Sequence, residues 1–264
     1  MSQIVKTEAV VLKSMKYGET SKIVTFYTQK YGKVTGIVKG ARASKSKFGA
    51  SLDSMAYVLL VMYKKETKGL NLISQCDLLK SFRNISSDLD KLAEGLKVIE
   101  LVYRVAHDEE QNLPLFKLIV GTLSDLDKAD KNFSSIGFTF EIKLGEILGY
   151  SFNFSTCGKC GRNNFRKTEQ TGSLLFDFSR GAALCSDCQN YIIHPVKISS
   201  DNLAILNRLG TTAEISAASN IEINPQNKTE IGNFLFDYLR YHISELKDLK
   251  SDKIFNNLKK SNPH

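Results

Sequence analysis

No apolar run in this chain of 264 residues reaches the roughly 18 that a membrane-spanning helix needs. No signal-like apolar core precedes Glu8 either, so the opening residues read as a strand entering the fold, and the expected location is the cytoplasm. The cysteines number five, an odd count that argues against a disulfide framework in a cytosolic chain. There is no internal repeat and no low-complexity tract. Nothing resembles a nucleophile with its base or a catalytic pair of carboxylates. Between Glu19 and Asp53 there is no acidic residue at all, while seven basic ones fall there. The overall composition, 42% apolar and 24% charged, is that of a globular protein.

That missing acid is part of a wider asymmetry. The first 70 residues carry 13 Lys and Arg against 4 acids, a net +9, while the whole chain is +8; the other 194 residues therefore net to −1. Folding does not require such segregation. A polyanion partner does, because basic side chains spread along a surface release counterions from phosphates. The competing reading is a solvated basic face with no partner.

Residues 1–80 carry a β pattern. Thr7–Ser14, Ser21–Thr28, Lys33–Val38, Ala56–Tyr63 and Leu70–Leu79 are rich in β-branched and aromatic residues, with turn signals at Gly18, Gly32 and Gly69. Residues 40–51 form a longer basic loop. Five short strands suit a small barrel such as the OB-fold, whose face and loops commonly bind oligonucleotides. The period then becomes helical. One helix is expected over Asp88–His107 with Ser87 as its cap, one from about Asn112 with Pro114 in its first turn, and one over Phe133–Leu148. The last is apolar on more than one side and reads as the centre of a bundle. Helical patterns return at Asp201–Leu209 and Glu230–Leu246, with Asn224 and Pro225 as a start signal. The expected fold class is α+β: an OB-fold barrel over 1–80, a helical domain over 81–150 and 196–250, a cysteine module inserted at 151–195, and a polar tail over 251–264.

The module holds Cys157, Cys160, Cys185 and Cys188 as two Cys-x-x-Cys pairs with 24 residues between them. Two tight turns, each offering two thiolates, suit tetrahedral Zn2+, and four cysteines make a closed structural site. Gly158 and Gly161 stand where tight turns are expected, and a hairpin over Ser173–Leu184 fills the spacer. A segment of about 45 residues has little core, so the metal is expected to supply much of its folding energy. The rival, a redox Cys-x-x-Cys, needs only one such pair. His194 reads as surplus to a site already filled by four thiolates. Cys76 reads as core on the fifth strand, and His107 and His242 as helix-face packing residues.

No enzyme is expected. The zinc-deaminase signature is absent. The stretch Gly40 to Ser46 lacks both the glycine before its lysine and the following helix that a nucleotide-binding P-loop requires. Asp108, Glu109 and Glu110 read as a solvated helix end. The cations from Lys22 to Lys47 are interleaved with Phe26, Tyr27, Tyr31 and Phe48. Single-strand binders combine groove cations with rings on which bases stack, although Phe26 and Phe48 suit the barrel core equally well.

Taken in order along the chain, these pieces resemble the bacterial recombination mediator and DNA repair family RecO. The resemblance rests on Glu8 to Lys13, Tyr17 to Thr20, Val24 to Thr28, Tyr31 to Lys33, Val38 to Arg42 with Lys45 and Ser46, the embedded cysteine pairs, and the terminal Phe236 to Ile243 with Leu249 to Ser251. It implies an N-terminal OB domain, a helical domain and a structural zinc module. It also implies binding of single- and double-stranded DNA, strand annealing, and cooperation with RecR in placing RecA on strands coated by single-strand-binding protein (SSB), at the nucleoid and without nucleotide. The family's basic OB surface would fall on Lys39, Arg42, Lys45 and Lys47, with Lys22 and Lys33 nearby. The residues alone leave open an RNA-associated zinc-ribbon protein and a zinc-dependent or redox enzyme.

Overall fold

The computed structural model describes residues 2–65, 69–163, 172–191 and 195–246. His194, His264 and the 251–264 tail lie outside the described residues. The chain divides into two compact units between Lys128 and Ala129, so the stretch 81–150 is shared between them.

In the first unit, β1 (Ser2–Tyr17), β2 (Ser21–Thr28), β3 (Gly32–Val38), β4 (Tyr57–Lys65) and β5 (Asn71–Lys80) close into a barrel in the order β1-β2-β3-β5-β4. All pairs are antiparallel except β3 with β5. This is the OB-type barrel expected. Closure depends on β1, which at 16 residues is longer than its sequence signal. Its first part pairs with β4 and its second with β2, and the register slips between Val11 and Lys13. The extra residue, Leu12, is a bulge of the kind that bends a strand around a barrel. Alternate side chains point inward, among them Val5, Ala9, Val24, Phe26, Val34, Leu60, Met62 and Ile73, and Phe48 and Leu52 join the same core.

Three helices complete this unit: α1 (Arg83–Ser87), α2 (Leu89–Val105) and α3 (Leu113–Lys128). The cap of α2 is Asp88, not Ser87. Asp88 Oδ1 accepts from the Asp90 and Lys91 amides at 2.9 and 3.0 Å, whereas the Ser87 hydroxyl turns back to donate to Asn84 O at 3.0 Å. Asn112 caps α3 through the Leu115 amide at 2.9 Å. His107 lies beyond the end of α2 and is exposed, so it packs on no helix face.

The second unit is built on α4 (Phe133–Ile147), which packs against α5 (Ser200–Gly210), α6 (Pro225–His242) and a 3-10 turn at Ile215–Asn220. Its burial on several sides explains its all-round apolar sequence. Asn224 caps α6 by accepting from the Asn227 amide at 2.8 Å, with Pro225 in the first turn as expected. The cysteine module carries β6 (Ser173–Asp177) and β7 (Ala182–Leu184) as the anticipated hairpin. A third strand, β8 (Pro195–Ser199), pairs with the other side of β6 and runs directly into α5.

Candidate nucleic-acid interface and metal centre

The structure brings all four predicted cysteines together. The Sγ atoms of Cys157, Cys160, Cys185 and Cys188 lie within 4.8 Å of one another, and Cys160 and Cys185 are 3.7 Å apart. Four thiolates around a metal at about 2.3 Å stand about 3.8 Å apart on a tetrahedron, so the residues fit a bound metal ion. The first knuckle is a tight turn. Gly161 has φ +71° and its amide donates to Cys157 O at 2.9 Å. A Cβ on Gly158 would sit 2.6 Å from that of Ala182, so this knuckle lies directly on the hairpin. The second knuckle is a 3-10 turn, Ser186–Tyr191, entered through the Cys188 amide donating to Cys185 O at 2.9 Å.

The local electrostatics divide the thiols. Burial resists ionisation of Cys157, but amides from Cys160, Cys185 and Lys159 outweigh it and bring that thiol down to about 6. Burial and hydrogen bonds with the neighbouring thiols push Cys188 up to about 12. Crowded thiolates repel one another, and a bound cation removes that conflict and lets all four ionise. The Arg162–Asp187 ion pair spans the two knuckles at 3.5 Å but is exposed and adds little.

The knuckle also seals one edge of the sheet. Asn153 N donates to Gly181 O at 2.7 Å, Gly158 N to Ala183 O at 3.0 Å and Cys185 N to Cys157 Sγ at 3.4 Å, so β7 is covered along its outer side. The sheet's inner face meets α6 through aromatic rings. Phe176 and Phe234 stand edge to face at 5.0 Å, and Phe152 lies 4.1 Å from Tyr238. His242 stacks on Tyr150 at 4.6 Å, with Nε2 3.0 Å from Phe178 O. Cys76 is core, as expected: it is buried on β5, donates to Ser51 O at 3.5 Å, and burial pushes its thiol up to about 11.

The six predicted basic residues meet different fates. Lys39, Arg42, Lys45 and Lys47 are exposed on the segment joining β3 to β4, and Lys22 is half-buried on β2. Arg42 ties that segment to the β1–β2 turn, donating from its amide to Thr20 O at 2.8 Å and from Nη1 to Gly18 O at 3.0 Å. Lys47 Nζ donates to Ser74 O of β5 at 3.1 Å. Lys33 is committed within its own unit: Nζ donates to Tyr103 O at 3.2 Å and lies 3.4 Å from Asp108, with the side chain 17% exposed. One partner escaped the sequence reading. Lys16 stands directly opposite Lys22 across β1 and β2, a like-charge pair that costs stability unless an anion bridges it. Only the register reveals that pairing.

Two expectations change here. The acidic run is not a solvated helix end. Asp108 faces Lys33, Glu109 pairs with Lys64 at 2.9 Å, and the Glu109 amide donates to Lys33 O at 2.9 Å. These acids pair with cations beside β3 and β4, and the acid-free 39–47 segment keeps four exposed basic residues. The interleaved aromatics are also not stacking platforms: Phe26 and Phe48 fill the barrel core with Tyr31 packed against it, and Tyr27 is buried outside that core, its hydroxyl donating to Asn112 O at 3.4 Å. The exposed ring near these cations is Tyr17, 50% exposed beside Lys16.

A basic OB-type barrel followed by a helical unit with a four-cysteine module that fits a metal defines the class of fold. Comparison with known proteins narrows it. Residues 1–82 match the family described as Recombination protein O N terminal, and residues 86–253 match Recombination protein O C terminal. The chain is 32% identical to the DNA repair protein RecO of Chloroherpeton thalassium over 96% of its length and 98% of that protein. It is 32% identical to that of Clostridium novyi over 98% and 96% of the two chains, and 40% identical to that of Salinibacter ruber over 55% and 56%. The chain belongs to the RecO family of recombination and DNA repair proteins.

Proposed function

We propose that the chain is a non-catalytic recombination mediator. It binds single- and double-stranded DNA, anneals complementary strands, and cooperates with RecR to place RecA on SSB-coated strands at the nucleoid. The observation that carries this reading is the acid-free stretch from Glu19 to Asp53 lying on an OB-type barrel in a member of this family. Its mechanism is electrostatic. Lys22, Lys39, Arg42, Lys45 and Lys47, with Lys16 opposite Lys22, screen phosphate repulsion between two strands so that pairing can nucleate. Lys33 contributes to the barrel's attachment to α2 instead. The metal is Zn2+, held by Cys157, Cys160, Cys185 and Cys188, and its role is structural: with four thiolate ligands it has no open position for a substrate.

Annealing of SSB-coated complementary strands, with and without the protein, tests the function directly; no acceleration would refute it. Substituting Arg42 and Lys45 together by alanine should reduce the slope of log affinity against log salt by about 0.7–0.9 per lost phosphate contact. An unchanged slope would remove these residues from the interface.

A further inference from the structure

The barrel carries a row of apolar side chains on its outside that only the register brings together. Met15 stands opposite Ile23, Ile23 opposite Ile37, Ile37 opposite Leu72, Leu72 opposite Tyr63, and Tyr63 opposite Ile4. The row therefore crosses β1, β2, β3, β5 and β4 and returns to the start of β1. None of these residues belongs to the barrel core; their chain neighbours Val5, Val24, Met62 and Ile73 point inward instead. Ile4 is 62% exposed, Met15 46% and Tyr63 37%, while Ile23, Ile37 and Leu72 are half-buried. Outward apolar surface that runs on from strand to strand marks a place where something binds.

The surroundings of the row say what covers it. The residues two positions along each strand from it include Lys6, Lys13, Lys39 and Lys65 and no acid. Tyr17, also exposed, prolongs the row at the β1–β2 turn, so an aromatic ring stands near each end. A duplex keeps its base faces stacked inside and shows phosphates and sugars outside, so it would leave the row uncovered. An unpaired strand offers bases to the apolar row and the tyrosine rings, and phosphates to the lysines. From Met15 to Tyr63 the row takes four inter-strand steps of about 4.8 Å, or about 19 Å. At ~3.4 Å per stacked nucleotide that holds about five, within the roughly 4–16 of an OB-fold site.

We propose that this row is the track of a single strand across the barrel and the source of a preference for unpaired over duplex DNA. Bases lie face down from Tyr17 and Met15 to Tyr63 and Ile4, and the backbone follows the flanking lysines. Such contacts take the faces of the bases, tolerate any sequence, and leave the pairing edges free for a complement. The inference rests on the DNA-binding reading above and deepens it: the cations of the 39–47 segment attract either form of DNA, and the row tells the two apart.

The test uses the full chain, a labelled oligothymidylate carrying one 2-aminopurine, and the duplex that strand forms with its complement, read by anisotropy and by 2-aminopurine fluorescence. Met15→Gln combined with Tyr63→Gln should weaken single-strand binding about tenfold and duplex binding less than about twofold. The salt slope should not change, because no cation is lost. The fluorescence change on binding should shrink with the affinity. Tyr63→Phe keeps the ring and should bind like the wild type. Unfolding midpoints check that the variants fold, and Ile4→Gln, at the most exposed position, gives the same comparison if the double variant is unstable. Equal losses for strand and duplex, no loss for either, or a defect in Tyr63→Phe would overturn the proposal. So would unchanged single-strand affinity with lost annealing of SSB-coated strands, which would assign the row to a protein partner. A wild-type chain that binds no DNA refutes the reading beneath; a wild type that binds DNA, with variants that do not discriminate, refutes the row alone.

Discussion

The barrel encloses fifteen buried side chains drawn from all five strands and the segment joining β3 to β4, whereas the buried cluster at the cysteine knuckles is Leu184 with three of the cysteines. The barrel is held by ordinary apolar burial. The knuckles have almost nothing of that kind, and on the zinc reading proposed above the ion takes the place of a core. The same division runs through the charges. The barrel holds surplus cations at one end after Asp108 and Glu109 have taken Lys33 and Lys64, while the knuckle's charge problem is negative and internal.

The comparison breaks most clearly at Cys157. Cys157→Ser should release the metal and forfeit most of a binding energy that reaches about 10–16 kcal/mol in small zinc domains. Amide protection should fall around 157–188 and persist in the barrel; a well-ordered knuckle without metal would contradict this. Leu60→Ala, at a fully buried barrel position, should cost about 2–5 kcal/mol in denaturant unfolding and leave the metal content unchanged. Lys33→Ala should cost about 1 kcal/mol by removing its bond to Tyr103 O, with no change in the salt slope of DNA binding. The smallest effect concerns pH. Burial holds His242 below the ordinary histidine value against the opposing pull of Phe178 O. The unfolded chain therefore binds that proton more readily. The stability is fully present above the unfolded value of about 6.5 and declines as pH falls from there through the native value. His242→Gln should flatten that decline in melts across the interval.

The parts legible in the sequence were those with local causes. The cysteine quartet, the Asn224–Pro225 helix start and the β pattern of residues 1–80 each follow from neighbouring residues. The full length of β1 did not, because the bulge at Leu12 interrupts the period-two signal. Its true extent shows only when β4 and β2 claim opposite ends of it. β8 escaped notice because five residues beginning with proline carry little signal until β6 is beside them. Lys33 and Asp108 are far apart in sequence, so no local pattern separates a lysine committed to its own fold from one offered to DNA. Lys16 shows the converse: its importance depends on standing opposite Lys22, and register is a property of the folded sheet.

The sealed β7 edge has a consequence for behaviour under metal shortage. Among the described residues no strand lies beside the outer edge of β8, and a sheet with one open edge can add at most one neighbour. If the Cys157 knuckle loosens, the same sheet acquires a second open edge, and each added copy leaves another available. Growth then has no natural end. Metal depletion should therefore register first as polymerisation in light scattering, while the basic barrel still binds DNA.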